Sequence, residues 1–192
     1  MKFKKMTNII KNKNRLTIFC DMDGVLTDFE KRFKDIPANI KGLSPSQYNE
    51  KYGKSSIWKI IEPEGIKWWS EMEWTKDGKA LWDYLKSFKP TILSAPSRDP
   101  KSKEGKLMWI NNNLDISQKF FTINPKKWKP SYRIILNSNK HLFAKTKYDI
   151  LIDDTYSKIE KWEKAGGTAI HHKNTLNTIR KLNTIISRFN SD

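Results

Sequence analysis

Residues 16–28 read Leu-Thr-Ile-Phe-Cys-Asp-Met-Asp-Gly-Val-Leu-Thr-Asp, and this stretch decides the fold. Leu16 to Cys20 form a short, apolar run of β-formers, which predicts a buried strand. Asp21 and Asp23 fall where that strand ends, and Gly24 lets the chain turn sharply away. In an open α/β sheet, the space beyond the carboxyl end of a central strand is where ligands bind. Two carboxylates delivered there suggest a nucleophile and a metal site. A calcium loop would need further oxygen ligands at regular spacing and a late Glu. Val25, Leu26 and Phe29 occupy much of that space instead.

Working outward, residues 29–80 interrupt the strand–helix rhythm, because a simple crossover is much shorter. Helical patterns run from Pro45 to Tyr52 and from Ile66 to Met72, punctuated by Pro37, Pro45 and Pro63. An inserted helical cap over residues 29–76 is expected, with residues 1–28 and 77–192 forming the core domain and 1–14 a basic leader. Trp58, Trp68, Trp69 and Trp74 gather in the cap. Such aromatics ordinarily form the core of a small module. Trp68 and Trp69 are the candidates for facing a substrate, since aromatic faces stack on planar groups.

Further on, a helix is expected from Asp77 to Phe88, then a strand at Thr91–Ser94 and a loop carrying Arg98. A helix from Lys101 to Asn113 follows, with Leu107, Met108 and Ile110 as its apolar face. Short strands are expected at Lys119–Ile123 and Arg133–Leu136. Asp149 to Asp153 is another buried strand, ending in the pair Asp153-Asp154. A helix from Ile159 to Ala165 stops at Gly166-Gly167, and a strand at Thr168–Ile170 leads to a last helix, Thr175–Phe189. In that helix Leu176, Ile179, Leu182 and Ile186 are expected to point inward. The alternation predicts a Rossmann-like α/β fold: a parallel sheet with helices on both faces and a small inserted helical cap.

At 192 residues the chain can bury a full core. Its single cysteine, Cys20, has no disulfide partner and no zinc spacing, so a reducing compartment and a core role are expected. No apolar run approaches a membrane span and no signal-peptide pattern appears, so cytoplasmic is the expected location. The net charge of +16 suits either nucleic acid or small anions. The excess is mostly Lys, spread along the chain as AT-rich coding leaves it, and no arginine-rich segment or zinc-finger spacing is present. Nucleic-acid binding is therefore at most an added property.

If the strands are parallel and adjacent, Asp21/Asp23, Ser94 and Asp153/Asp154 meet at one sheet edge. Clustered carboxylates repel unless a cation sits among them or their pKa values rise. All-oxygen ligands suit Mg²⁺ better than zinc, and His141, His171 and His172 lack zinc spacing.

The series Asp-Met-Asp-Gly-Val-Leu-x-Asp-Phe at 21–29, Ile-Leu-Ser-Ala-Pro at 92–96 and Ile-Leu-Ile-Asp-Asp at 150–154 resembles the motifs of the haloacid dehalogenase (HAD) superfamily. Within it, the 5'(3')-deoxyribonucleotidase-like phosphatases, including phage-type members, are the most similar, and Ile159 to Gly167 resembles them too. The match spans about residues 16 to 172 and is specific only at those blocks. The resemblance implies a Mg²⁺-dependent phosphomonoester hydrolase acting through an aspartyl phosphate. Asp21 would be the nucleophile. Asp23 would be general acid and base, its main-chain carbonyl helping to hold Mg²⁺ with Asp21 and Asp153, while Asp154 would either join them as a metal ligand or orient the ion's water shell. Ser94 would bind a phosphate oxygen, and Arg98 either reaches the substrate or stays on the surface. Lys140 is chosen as the residue that neutralises charge, with Lys145 and Lys147 as competitors.

A carboxylate at the Asp23 position argues for phosphatase over pump-like members and dehalogenases. Ser94-Ala95 departs from the Thr-Ser or Ser-Ser of many nucleotidases, which leaves the choice of nucleotide open. The expected substrate is a small phosphorylated molecule, foremost a nucleoside monophosphate. A polynucleotide 3'-phosphatase, a phosphotransferase and a catalytically silent binding protein of the same fold are the alternatives.

Overall fold

A computed structural model describes residues 16–116, 125, 126, 129 and 132–191. Among the described residues, five strands form the sheet: β1 (Thr17–Cys20), β2 (Thr91–Ser94), β3 (Ile134–Leu136), β4 (Asp149–Asp153) and β5 (Thr168–His171). Their order is β3-β2-β1-β4-β5, with every neighbouring pair parallel. The chain therefore leaves β1 towards β2 and β3 on one side and later fills β4 and β5 on the other. That reversal beside β1 is the topological switch point at which such sheets bind ligands.

Side chains on β1 alternate between two cores, as the pleat requires. Ile18 and Cys20 join Ile92, Ile134, Leu136, Ile150 and Ile152 on one face. Phe19 joins Leu93, Ile135 and Leu151 on the other. The first face is covered by α5 (Gly78–Leu85), α6 (Pro100–Asn113) and α8 (Thr175–Ser191). The second is covered by α7 (Tyr156–Lys164) and the 3-10 turn Lys140–Phe143. There Trp162 meets Phe19 edge-on at 5.1 Å and donates its indole N–H to the Asp149 carbonyl at 3.1 Å. Cys20 is fully buried, as expected for a core thiol.

Between β1 and β2 the chain is helical: α1 (Phe29–Lys34), α2 (Pro45–Tyr52), α3 (Ile57–Ile61) and α4 (Gly65–Ser70) precede α5. Local sequence explains the starts. Asp28 caps α1, and Ser44 with Gln47 forms a reciprocal capping box before Pro45. α4 lies tightly on α6 because Gly105 has no side chain: a Cβ there would overlap Trp69 and the Ile66 carbonyl.

Two helix faces differ from expectation. In α6 the buried residues are Ser102, Gly105, Lys106, Trp109 and Ile110, while Met108 is 43% exposed. Of the expected face, Ile110 is buried and Leu107 packs partly against the core, but Met108 turns outward, and the rest of the inward stripe is mostly small or polar. In α8 Leu182 and Ile186 are buried and Ile179 packs against the core as expected, but Thr175 and Thr178 are buried as well and Leu176 is 58% exposed. Thr175 bonds Asp77 through its amide (2.7 Å) and hydroxyl (2.9 Å), and Thr178 pairs with His172 at 2.9 Å, so their burial leaves no polar group unmet. The strand expected at Lys119–Ile123 and the leader 1–14 lie outside the described residues.

Candidate active site

The Cys20–Ile152 register sets Asp21 level with Asp153, and the Asp21 amide donates to the Ile152 carbonyl at 2.9 Å. The Met22 amide donates to Asp21 Oδ1 at 2.7 Å. Beyond it the chain wraps on itself: the Leu26 and Thr27 amides both donate to the Met22 carbonyl, at 2.7 and 2.9 Å. Gly24 takes φ +76°, and a Cβ there would run into the Asp154 carboxylate. Glycine is thus required both by backbone conformation and by close approach.

Lys140 holds the next layer. Its buried Nζ lies 2.6 Å from Asp21 Oδ2 and 2.6 Å from Asp153 Oδ2. Asp153 Oδ1 accepts from the Thr155 amide at 2.9 Å. Carboxylate oxygens of Asp21, Asp153 and Asp154 all lie within 4.8 Å of one another. Burial pushes the Asp21 carboxyl up, but the ammonium groups of Lys140, Lys158 and Lys106 outweigh it and hold the group below the usual range. Asp153 goes the other way, raised by burial and by Asp21 beside it. Asp154 is pushed up to about 6, again by burial first and then by Asp21 and Asp153. Lys140 stays charged: burial acts against it, but Asp21 and Asp153 together raise its pKa.

Asp23 faces a second lysine. Lys106 Nζ, fully buried on α6, lies 2.5 Å from Asp23 Oδ2 and donates to Ser94 Oγ at 3.1 Å. The Thr27 hydroxyl donates to Asp23 Oδ1 at 3.2 Å.

These groups meet a cleft of about 860 Å³. Asp21, Asp23, Gly24, Asp154 and Lys158 line it from the core, and Phe29, Glu30, Pro45, Ile57 and Trp58 from the helical segment. Asp21, Asp23, Lys140, Asp153 and Asp154 are thus gathered as the sequence predicts. Ser94 comes to the same edge, but it is fully buried with its hydroxyl accepting from Lys106, and Ala95 lines the cleft.

Trp68 and Trp69 are each 1% exposed, packed edge-on at 4.6 Å in the core, and Trp58 takes the place on the cleft wall. The reason is geometric: α4 turns both indoles onto Phe29, and Trp69 also lies against α6 beside Gly105 and Lys106. Arg98 is exposed in its loop and lies outside the cleft lining. Of the competing lysines, Lys145 is exposed and Lys147 sits over the Tyr148 and Phe189 rings.

Sequence reasoning missed Lys106 and Lys158. The signal for Lys106 was available, since 102, 105, 106, 109 and 110 share one helix face ending in Trp109-Ile110. Lys158 stands one helical turn past Asp154.

Solved structures resemble the chain over most of its length. A hydrolase from Streptococcus pneumoniae TIGR4 matches over 88% of this chain and 98% of its own, with a TM-score of 0.50 and 11% identity. The chain has the fold of a known hydrolase. Also similar is a HAD-superfamily hydrolase from Ehrlichia chaffeensis, with 13% identity, TM-score 0.43 and coverage of 90% of this chain and 96% of that one. A HAD family enzyme from Bacteroides thetaiotaomicron, determined as a mutant with magnesium and inorganic phosphate, shows 14% identity, TM-score 0.41 and coverage of 82% and 94%. No family model matches the chain, and no curated protein matches it in sequence. Among the described residues, no helix is long and apolar enough to cross a membrane.

Proposed function

We propose that this protein is a phosphomonoester hydrolase that uses Asp21 as nucleophile and acts on small nucleotides, foremost nucleoside monophosphates. The observation that carries the reading is the placement of Asp21 in the cleft. It stands against Lys140 and beside Asp153 and Asp154, with Asp23 opening into the same space. The Asp21 carboxylate, kept ionised by Lys140, attacks phosphorus while the bond to the leaving oxygen breaks. Asp23 gives that oxygen its proton. In the second half, Asp23 takes a proton from water, the water oxygen attacks phosphorus, and Asp21 is released with inorganic phosphate.

The donor set fits Mg²⁺. Asp21, Asp153 and Asp154 offer hard carboxylate oxygens at one point, and zinc-type ligands are absent from that cluster. The resemblance adds the Asp23 main-chain carbonyl. When bound, the ion would supply positive charge for the phosphate oxygens. Lys158, on the cleft wall, is placed to face the same anion.

The cleft also bears on substrate size. Asp21, Asp23, Asp28, Glu30 and Asp154 outnumber Lys158 along its lining, despite the net charge of +16. A polynucleotide would bring its repeating phosphates against these acids, whereas a monophosphate brings only the group the metal receives. Phe29, Ile57 and Trp58 give the outer wall an apolar, aromatic character that suits a planar base. Phosphate release from nucleoside monophosphates, against a 3'-phosphorylated oligonucleotide, with Mg²⁺ and with EDTA, tests the reading. Mg²⁺-dependent turnover of the mononucleotides is expected. Cleavage of the oligonucleotide alone overturns the substrate assignment. Equal residual signals, unaffected by EDTA, in native and Asp21→Asn proteins would favour the binding-protein alternative.

A further inference from the structure

Lys106 is a fully buried cation that the proposed chemistry does not use, and burying an ammonium costs several kcal/mol unless its protons are met. It finds three partners. Asp23 Oδ2 lies at 2.5 Å, Ser94 Oγ accepts at 3.1 Å, and the Trp69 ring lies beneath it at 5.0 Å. Its carrier helix is fixed as well: Gly105, next to it, packs against Trp69, and Trp109 donates its indole N–H to the Met72 carbonyl at 2.7 Å. The lysine does not line the cleft. A charge so placed has no route to a substrate except through the groups it holds.

We propose that Lys106 is a positioning residue for Asp23, fixing the carboxylate so that it faces the leaving oxygen. The inference rests on the phosphatase reading above. Oδ2 is tied to Lys106 and Oδ1 takes the Thr27 hydroxyl, so the rotation of the Asp23 carboxylate is set from both sides. Ser94 supports the arrangement from β2: by accepting from Lys106 it links the ends of β1 and β2 through α6. The geometry places a second ammonium beside the acid/base residue, separate from the one beside the nucleophile.

The test exploits the fact that a poor leaving group needs its proton and a good one does not. Kinetics of native protein, Lys106→Met, Asp23→Asn and the double variant are compared on an alkyl phosphate and on p-nitrophenyl phosphate, with Mg²⁺. Lys106→Met is expected to lower kcat on the alkyl phosphate about a hundredfold, the scale of general-acid catalysis, and to affect the nitrophenyl ester far less. In the Asp23→Asn background it should add little further loss, because its effect passes through Asp23. Equal losses on both substrates, or losses that multiply in the double variant, overturn the inference and leave the phosphatase reading in place. A native protein inactive on both substrates overturns that reading and the inference with it. Should Lys106→Met fail to fold, Lys106→Leu carries the same comparison, since it too removes every donor to Asp23, and a native-like leaving-group dependence there also overturns the inference.

Discussion

Lys140 Nζ lies 2.6 Å from Asp21 Oδ2, with both side chains withdrawn from solvent. The same nitrogen reaches Asp153 at an equal distance, so one ammonium holds the ends of β1 and β4 together. Removing one partner from a buried ionic group leaves the others uncompensated. Lys140→Met is therefore expected to destabilise the protein by about 3–5 kcal/mol in urea unfolding. Added Mg²⁺ should recover part of that loss, because a cation among Asp21, Asp153 and Asp154 relieves the same repulsion. A Lys140→Met protein as stable as the native one would show that the pair carries no structural weight.

Gly24 tests the close approach of β1 and β4 from the backbone side. With φ +76° and the Asp154 carboxylate where a Cβ would go, Gly24→Ala is expected to cost more than about 1 kcal/mol. It should also weaken Mg²⁺ binding, since Asp154 must move aside. Calorimetric titration of Mg²⁺ into both proteins checks this, and an unchanged affinity would mean that Asp154 is not a ligand.

The acid cluster sets a pH dependence with a definite sign. Asp154 is pushed up to about 6, and Asp153 is also raised. Between the ordinary carboxylate range and about 6, the folded chain holds protons that the unfolded chain has released, so stability rises as pH falls through this window. Asp21 is shifted the opposite way, and its contribution is lost only below the ordinary range. Without metal, Tm should climb as pH is lowered from about 7.5 towards 5.5. Mg²⁺ affinity should fall over the same interval, because protons and the ion compete for Asp154. A metal-free Tm that drops with acidification through this window would contradict the assignment.

The aromatic wall of the cleft predicts a specificity effect. Phe29 and Trp58 meet edge-on at 6.5 Å, and both line the cavity. Trp58→Ala is expected to raise KM for a nucleoside monophosphate about tenfold or more, on the scale of a lost stacking contact. Its effect on inorganic phosphate inhibition should be small, since that anion has no base to stack. Equal weakening for both ligands would place Trp58 in the fold and outside substrate recognition.

The sheet was largely legible because its strands are short runs rich in β-formers, and two of them, β1 and β4, lead straight into paired acids. Thr91–Ser94 was read from its β-formers after Pro90, and Asp149–Asp153 from an apolar run closed by the pair Asp153-Asp154. Helix faces were harder to read where burial is polar. α6 hides Lys106 and Ser102 because a carboxylate, a hydroxyl and main-chain carbonyls wait to receive them, and no hydrophobic periodicity reports such partners. The tryptophans show the converse. Composition identified an aromatic cluster, but only the packing of α4 on α6 determines that Trp68 and Trp69 are buried while Trp58 meets the cleft.

Whether a phosphoryl group passes through Asp21 can be read directly by acid-quenching the native protein during turnover with Mg²⁺ and locating the adduct by peptide mass spectrometry. One phosphoryl group on Asp21 is predicted, lost on incubation with water, and absent from Asp21→Asn and from samples with EDTA. Continued turnover by Asp21→Asn, with no adduct on the native chain, would contradict the account at its centre.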